Sequence, residues 1–186
     1  MFNGINVDGD STITNTAGGL ETSSLKSAIA VTNGSHSVIT NSETISSTAT
    51  DGSPAIALLF GGTVVNYASG VITGNDGMAI SVGFQPNYGI ISGNVDGINN
   101  NSDSQITNEA GGLITSSMEP AIAVSYGSHS IITNSGTISS TATDGSPAIA
   151  LFVGGTVVNN ASGVITGNDG KAITVGFQGN RTRNRL

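Results

Sequence analysis

The sequence predicts an all-β protein, a parallel β-solenoid of about eight coils, each 21–26 residues long with three short strands. Three observations carry that prediction. The chain copies itself at an offset of 93 residues: 35–84 lies over 128–177, and only seven of those fifty positions differ. A shorter period of 21–26 residues, marked by a recurring asparagine, runs inside the longer one. Within each short period apolar residues alternate in twos, and no stretch has the i, i+3, i+4 spacing of an amphipathic helix.

Each strand of a coil follows from its residues. The first precedes the marker asparagine and reads TIT (Thr12–Thr14), SVIT (Ser37–Thr40) or TVV (Thr63–Val65). The second follows it, as in GLET, GVIT or GTIS. The third carries the pattern A-I-x-V, most often after Asp-Gly, as in DGSPAIAL (Asp51–Leu58 and Asp144–Leu151) and DGKAITV (Asp169–Val175). Side chains alternate across a strand. Ile29 and Val31, Ile56 and Leu58, Ile80 and Val82, Ile122 and Val124, Ile149 and Leu151, and Ile173 and Val175 therefore point inward, with the intervening Ala, Ser and Thr outward. One coil cannot bury its apolar face alone, so each is the template for the next, which is why the chain repeats so uniform a sequence.

The marker column is Asn15, Asn41, Asn66, Asn87, Asn108, Asn134, Asn159 and Asn180. Stacked at the ~4.8 Å strand spacing, these amides are expected to form a ladder, each bonding the next, because an unpaired buried amide is costly. The chain reads as one domain over 1–180, built from periods 1–93 and 94–186, with a polar basic tail or cap at 181–186.

Composition narrows the function. Charged residues make up 9 % of the chain, the formal net charge is −7, and Arg181, Arg183 and Arg185 are three of its five basic residues. So acidic a body is a poor nucleic-acid ligand. There is no cysteine, which excludes disulfides, thiolate metal sites and thiol catalysis. No apolar run reaches the ~18–20 residues of a membrane-spanning helix, and the N-terminus has no basic region followed by an apolar stretch.

No catalytic constellation stands out, and neither a metal nor a cofactor is expected. The repeat body offers only Lys26 and Lys171 as bases, and their counterparts in the other copy are Glu119 and Met78. Asp51, Asp76 and Asp96, with Asp144 and Asp169, read as equivalent turns one coil apart, weak candidates for a Ca²⁺ site. Asp-Gly is also ordinary turn chemistry, which is the reading preferred here. His36 and His129 are duplicates in SHS and read as exposed turn residues. Glu21 and Glu43 face Ile114 and Gly136 in the other copy and read as drift at outward sites.

ITNSGTIS, VVNNASGVITG and DGxAIxV resemble the passenger-domain repeats of bacterial autotransporters, the type V secretion proteins. The resemblance covers about residues 1–180. It implies a right-handed parallel β-helix exported to the cell surface or beyond. It also implies a structural or adhesive role with host or neighbouring-cell surfaces as partners, and no insertion of this segment in a membrane. FNGIN at the start lies over VDGIN from Val95, so the chain begins inside a coil and reads as a fragment of a longer passenger. Two alternatives remain. Open coil ends expose unpaired strand edges, which favours end-to-end stacking into fibres, with the Arg-rich tail guarding an edge or meeting Asp8 and Asp10 of a neighbour. Outward Thr12, Thr14, Thr40, Thr107 and Thr133 suggest an ice-binding face, although the strand reads TIT, VIT, TVV, GFQ, QIT, IIT, TVV and so lacks an unbroken threonine rank.

Overall fold

The computed structural model describes residues 3–81, 85–169 and 171–176. They form twenty-two short strands and, among the described residues, no helix. Sheet A holds Ile5–Val7, Ile29–Val31, Ile56–Leu58, Ile80–Ser81, Ile98–Asn100, Ile122–Val124, Ile149–Leu151 and Ile173–Val175. Sheet B holds Thr12–Asn15, Val38–Asn41, Thr63–Asn66, Gln85–Asn87, Gln105–Asn108, Ile131–Asn134 and Thr156–Asn159. Sheet C holds Leu20–Ser23, Thr44–Ser47, Val71–Gly74, Ile90–Gly93, Leu113–Ser116, Thr137–Ser140 and Val164–Gly167. The chain visits A, B and C in rotation, and every strand pairs in parallel with its counterparts one turn away. The protein is a parallel β-solenoid of about seven turns. That is one fewer than the expected eight, because sheets B and C have seven strands each. Asn180, the marker of an eighth coil, and the tail at 181–186 lie outside the described residues.

Register stacks like on like, as the repeat requires. Ile29, Val31, Ile56, Leu58, Ile80, Ile122, Val124, Ile149 and Leu151 are fully buried in one continuous core. Isoleucines from sheets B and C, such as Ile39, Ile45, Ile72 and Ile132, join it. Each such side chain contributes about 1.5–3 kcal/mol through burial. Val82 lies outside the described residues. Ile173 and Val175 keep the register of Ile149 and Leu151 but are 38 % and 49 % exposed, because they belong to the last described turn.

Four details depart from the sequence reading. The outward alanines of sheet A, Ala30, Ala57, Ala123 and Ala150, are only 4–8 % exposed although they lie outside the core cluster. Glu21 is not at an outward site. It stands in the inward column of sheet C, in register with Ile45, Ile72 and Ile91. It is tolerated in the first turn, where it is only half-buried. In sheet B, the strand of this turn is Gln85–Asn87, so it shares only Gln85 with the expected GFQ, whose Gly83 and Phe84 lie outside the described residues. Its pairing with the preceding turn shrinks to Asn87 on Asn66, as expected where Pro86 has no N–H to donate. Finally, the end of sheet C carries a second polar column, Ser23, Ser47, Gly74, Gly93 and Ser116. Glycine is required at Gly74, where a Cβ would lie 2.1 Å from the Met78 carbonyl oxygen.

Candidate functional site

The asparagine ladder is continuous through the described turns. Each Nδ2 donates to the next Oδ1, from Asn15 to Asn41 (2.9 Å), Asn66 (2.9 Å), Asn87 (3.0 Å), Asn108 (2.8 Å), Asn134 (2.8 Å) and Asn159 (2.8 Å). The amides also donate to backbone carbonyls, as Asn66 does to Gly70 (3.0 Å) and Ile90 (3.1 Å). Asn15 through Asn134 are buried and Asn159 is exposed. Glu43 serves the ladder through its backbone, accepting from Asn41 Nδ2 at 2.7 Å. Many side chains suit that position, which explains how Gly136 replaces it in the other copy.

The aspartates do not form one column. Asp51 and Asp144 stand five residues before the sheet A isoleucine, and Asp76 and Asp169 four before it. Asp96 stands only two before Ile98, and it is buried where the others are exposed. No group of three or more metal-ligating side chains forms among the described residues. Asp51 Oδ2 instead accepts from Lys26 Nζ, and this bond, with those from Ser53, holds its carboxyl down at about 2. Asp144 accepts from the Ser146 N–H at 2.9 Å, and hydrogen bonds from Ser146 likewise lower its pKa. Burial pushes Asp96 up to about 6, despite a 2.7 Å hydrogen bond from Asn99 and with a further push from Glu119.

His36 and His129 are exposed, as their sequence suggests, but each sits in a local cluster that the sequence hid. The His36 N–H donates to Asp10 Oδ1 at 2.8 Å, and this bond above all lowers the Asp10 pKa. His36 Nδ1 faces Ser35 Oγ at 3.0 Å and Asp10 Oδ2 at 3.4 Å. Ser128, His129 and Asp103 repeat the arrangement one period later. Serine, histidine and aspartate thus meet twice, but serine and carboxylate approach the same ring nitrogen. A relay needs them on opposite nitrogens, so this geometry does not activate the serine.

A groove of about 240 Å³ lies on the outer face of sheet A. Ala150 and Thr174 line its floor. Pro120, Pro147 and Phe152 wall it, while Glu119, Asp144 and Lys171 bring charge to it. The turn Asp144–Pro147 rises beside the sheet because the connection from Ser140 to Ile149 is longer than that from Ser116 to Ile122. This wall explains the low exposure of the outward alanine. Sequence reading missed the groove because alternation says which residues face outward and not how high the neighbouring turns stand.

The outward columns of sheet B mix threonine with other residues. Thr14, Thr40, Val65, Pro86, Thr107, Thr133 and Val158 share one register, so the threonine rank expected of an ice-binding face is interrupted three times. No family model matches the chain, and searches of curated proteins and of solved structures return no match. The architecture therefore defines the class, a parallel β-solenoid with tandem coils.

Proposed function

We propose that the chain is a rigid, non-catalytic segment of the exported passenger of a bacterial autotransporter. On this reading it is displayed at the cell surface and contributes to adhesion or self-association. The observation that carries the reading is the ladder together with its isoleucine columns: the marker residues shared by both copies hold one turn on the next. What remains outward is mostly small and polar, suited to a scaffold that presents surface. The resemblance of VVNNASGVITG and DGxAIxV to passenger repeats supplies the location, and the absence of cysteine suits export of an unfolded chain. Sequencing the genomic DNA on both sides of the reading frame tests this. An export leader upstream and a membrane β-barrel downstream, both in frame, are the expected result. An isolated gene with its own promoter and neither element would overturn it.

End-to-end stacking of copies is the second reading, favoured by the uniform parallel register that each described turn offers to the next, as Ile149–Leu151 does to Ile173–Val175. Glu21 weighs against it, since stacking would bring a carboxylate onto the column of Ile165. Sedimentation tests the stacking: growth with concentration favours it, and a single species at high concentration removes it.

A further inference from the structure

The two copies build the same position on sheet A in different chemistry. In the first copy, the Lys26 ammonium lies on the Asp51 carboxylate and closes the site with an internal ion pair. In the second copy, Lys26 becomes Glu119 while Asp51 remains as Asp144, and among the described residues Asp144 has no ion-pair partner. Around that switch Ser27 becomes Pro120, Leu59 becomes Phe152, Met78 becomes Lys171 and Ser81 becomes Thr174. Three of the seven differences between 35–84 and 128–177 thus line the second groove, in a scaffold otherwise nearly unchanged. In the second copy two carboxylate residues, Glu119 and Asp144, line one groove, where the first copy pairs the corresponding Asp51 with an ammonium on an aliphatic chain.

We propose that the groove of the second copy binds an alkylammonium group. The ammonium lodges between Glu119 and Asp144, in the place that Lys26 fills in the first copy. The aliphatic chain lies along Pro120, Pro147 and Phe152, which a hydrocarbon covers at little desolvation cost. Lys171 also lines the groove and opposes a second positive charge, so the site suits a single ammonium. The inference does not depend on where the chain is displayed, so either reading can fail without the other.

The test uses the full chain, labelled with ¹⁵N, and two probes: n-pentylammonium and Nα-acetyl-lysine amide. Sodium chloride at matched ionic strength is the control. Amide shifts are expected at Gly145, Ser146 and Phe152, and not at Gly52, Ser53 and Leu59. Glu119→Lys, which rebuilds the pair of the first copy and is therefore compatible with the fold, should weaken binding about fivefold, the upper end of what one exposed ion pair is worth. Lys26→Glu should make the first site respond. A response to n-pentylammonium alone assigns the site to free amines, and a response to both extends it to lysine side chains of a partner. No response to either probe, equal shifts in both copies, or binding unchanged in Glu119→Lys would overturn the proposal.

Discussion

Asp96 shows how much a single residue's depth in the coil matters. In the sequence it belongs with Asp51 and Asp76, because all three precede a glycine. In the structure it is buried, two residues before its strand, with Asn99 donating to it and the like charge of Glu119 acting on it. Its pKa rises from 3.8 to about 6, so the folded chain holds this proton more tightly than the unfolded one. Stability from this group is therefore complete below about pH 4 and is lost as the pH climbs through 6, by roughly 2–3 kcal/mol in full. Asp10, Asp51 and Asp144 are shifted the other way and lose stability as the pH falls, so only a comparison of variant with parent isolates Asp96. Asp96→Asn should match the parent near pH 4 and exceed it in urea midpoint at pH 7. Parallel pH profiles for the two proteins would mean that burial does not hold the proton there. Glu21 is the residue that the repeat misassigned. Its alignment with Ile114 was visible in the sequence, but which face that position takes follows only from the register of sheet C.

At the scale of strands and turns, most of the fold was legible. Alternation gave the inward isoleucines and the repeated asparagines gave the ladder, because both are set by stacking identical residues at one spacing. The polar column ending sheet C was not legible, since Ser47 and Gly74 look interchangeable until the turn beyond them is built. Ser47 Oγ donates to the Lys26 carbonyl at 2.9 Å, whereas Gly74 leaves room for the Met78 carbonyl. The groove was hidden for a related reason, since it depends on the height of the Asp144–Pro147 turn. The ladder itself admits a direct test. Asn66 accepts from Asn41 and donates to Asn87 and to the Gly70 and Ile90 carbonyls, all within a buried column. Asn66→Ala removes these bonds and leaves buried acceptors unmet, at a cost of about 3 kcal/mol. Asn159→Ala at the exposed end, where the side chain accepts from Asn134 and donates to the Gly163 carbonyl, should cost about 1 kcal/mol. Equal losses in urea denaturation would show that position in the ladder is irrelevant, against the cooperative burial inferred for its middle.

For the whole molecule, the decisive fact is that pairing is confined to adjacent turns. Ile98–Asn100, for example, pairs only with Ile80–Ser81 and Ile122–Val124. Stability in such a stack is close to a sum of turn and interface contributions, so damage should stay local. Near-identity of the two copies supplies an internal control that few proteins have. The strands Ile56–Leu58 and Ile149–Leu151 share sequence, register and full burial of their inward side chains, and they differ in the turn stacked above, where Ile80 is buried and Ile173 is half-exposed. Hydrogen exchange on Asn66→Ala should therefore show faster amides at Thr63–Asn66 and the strands stacked on it, while Ile149–Leu151 keeps the protection it has in the parent. If the exchange rates rise together along the whole chain, the solenoid unfolds as one unit. In that case the second copy could not diverge at its groove without a global cost, and the independence of the two sites on sheet A would have to be abandoned with it.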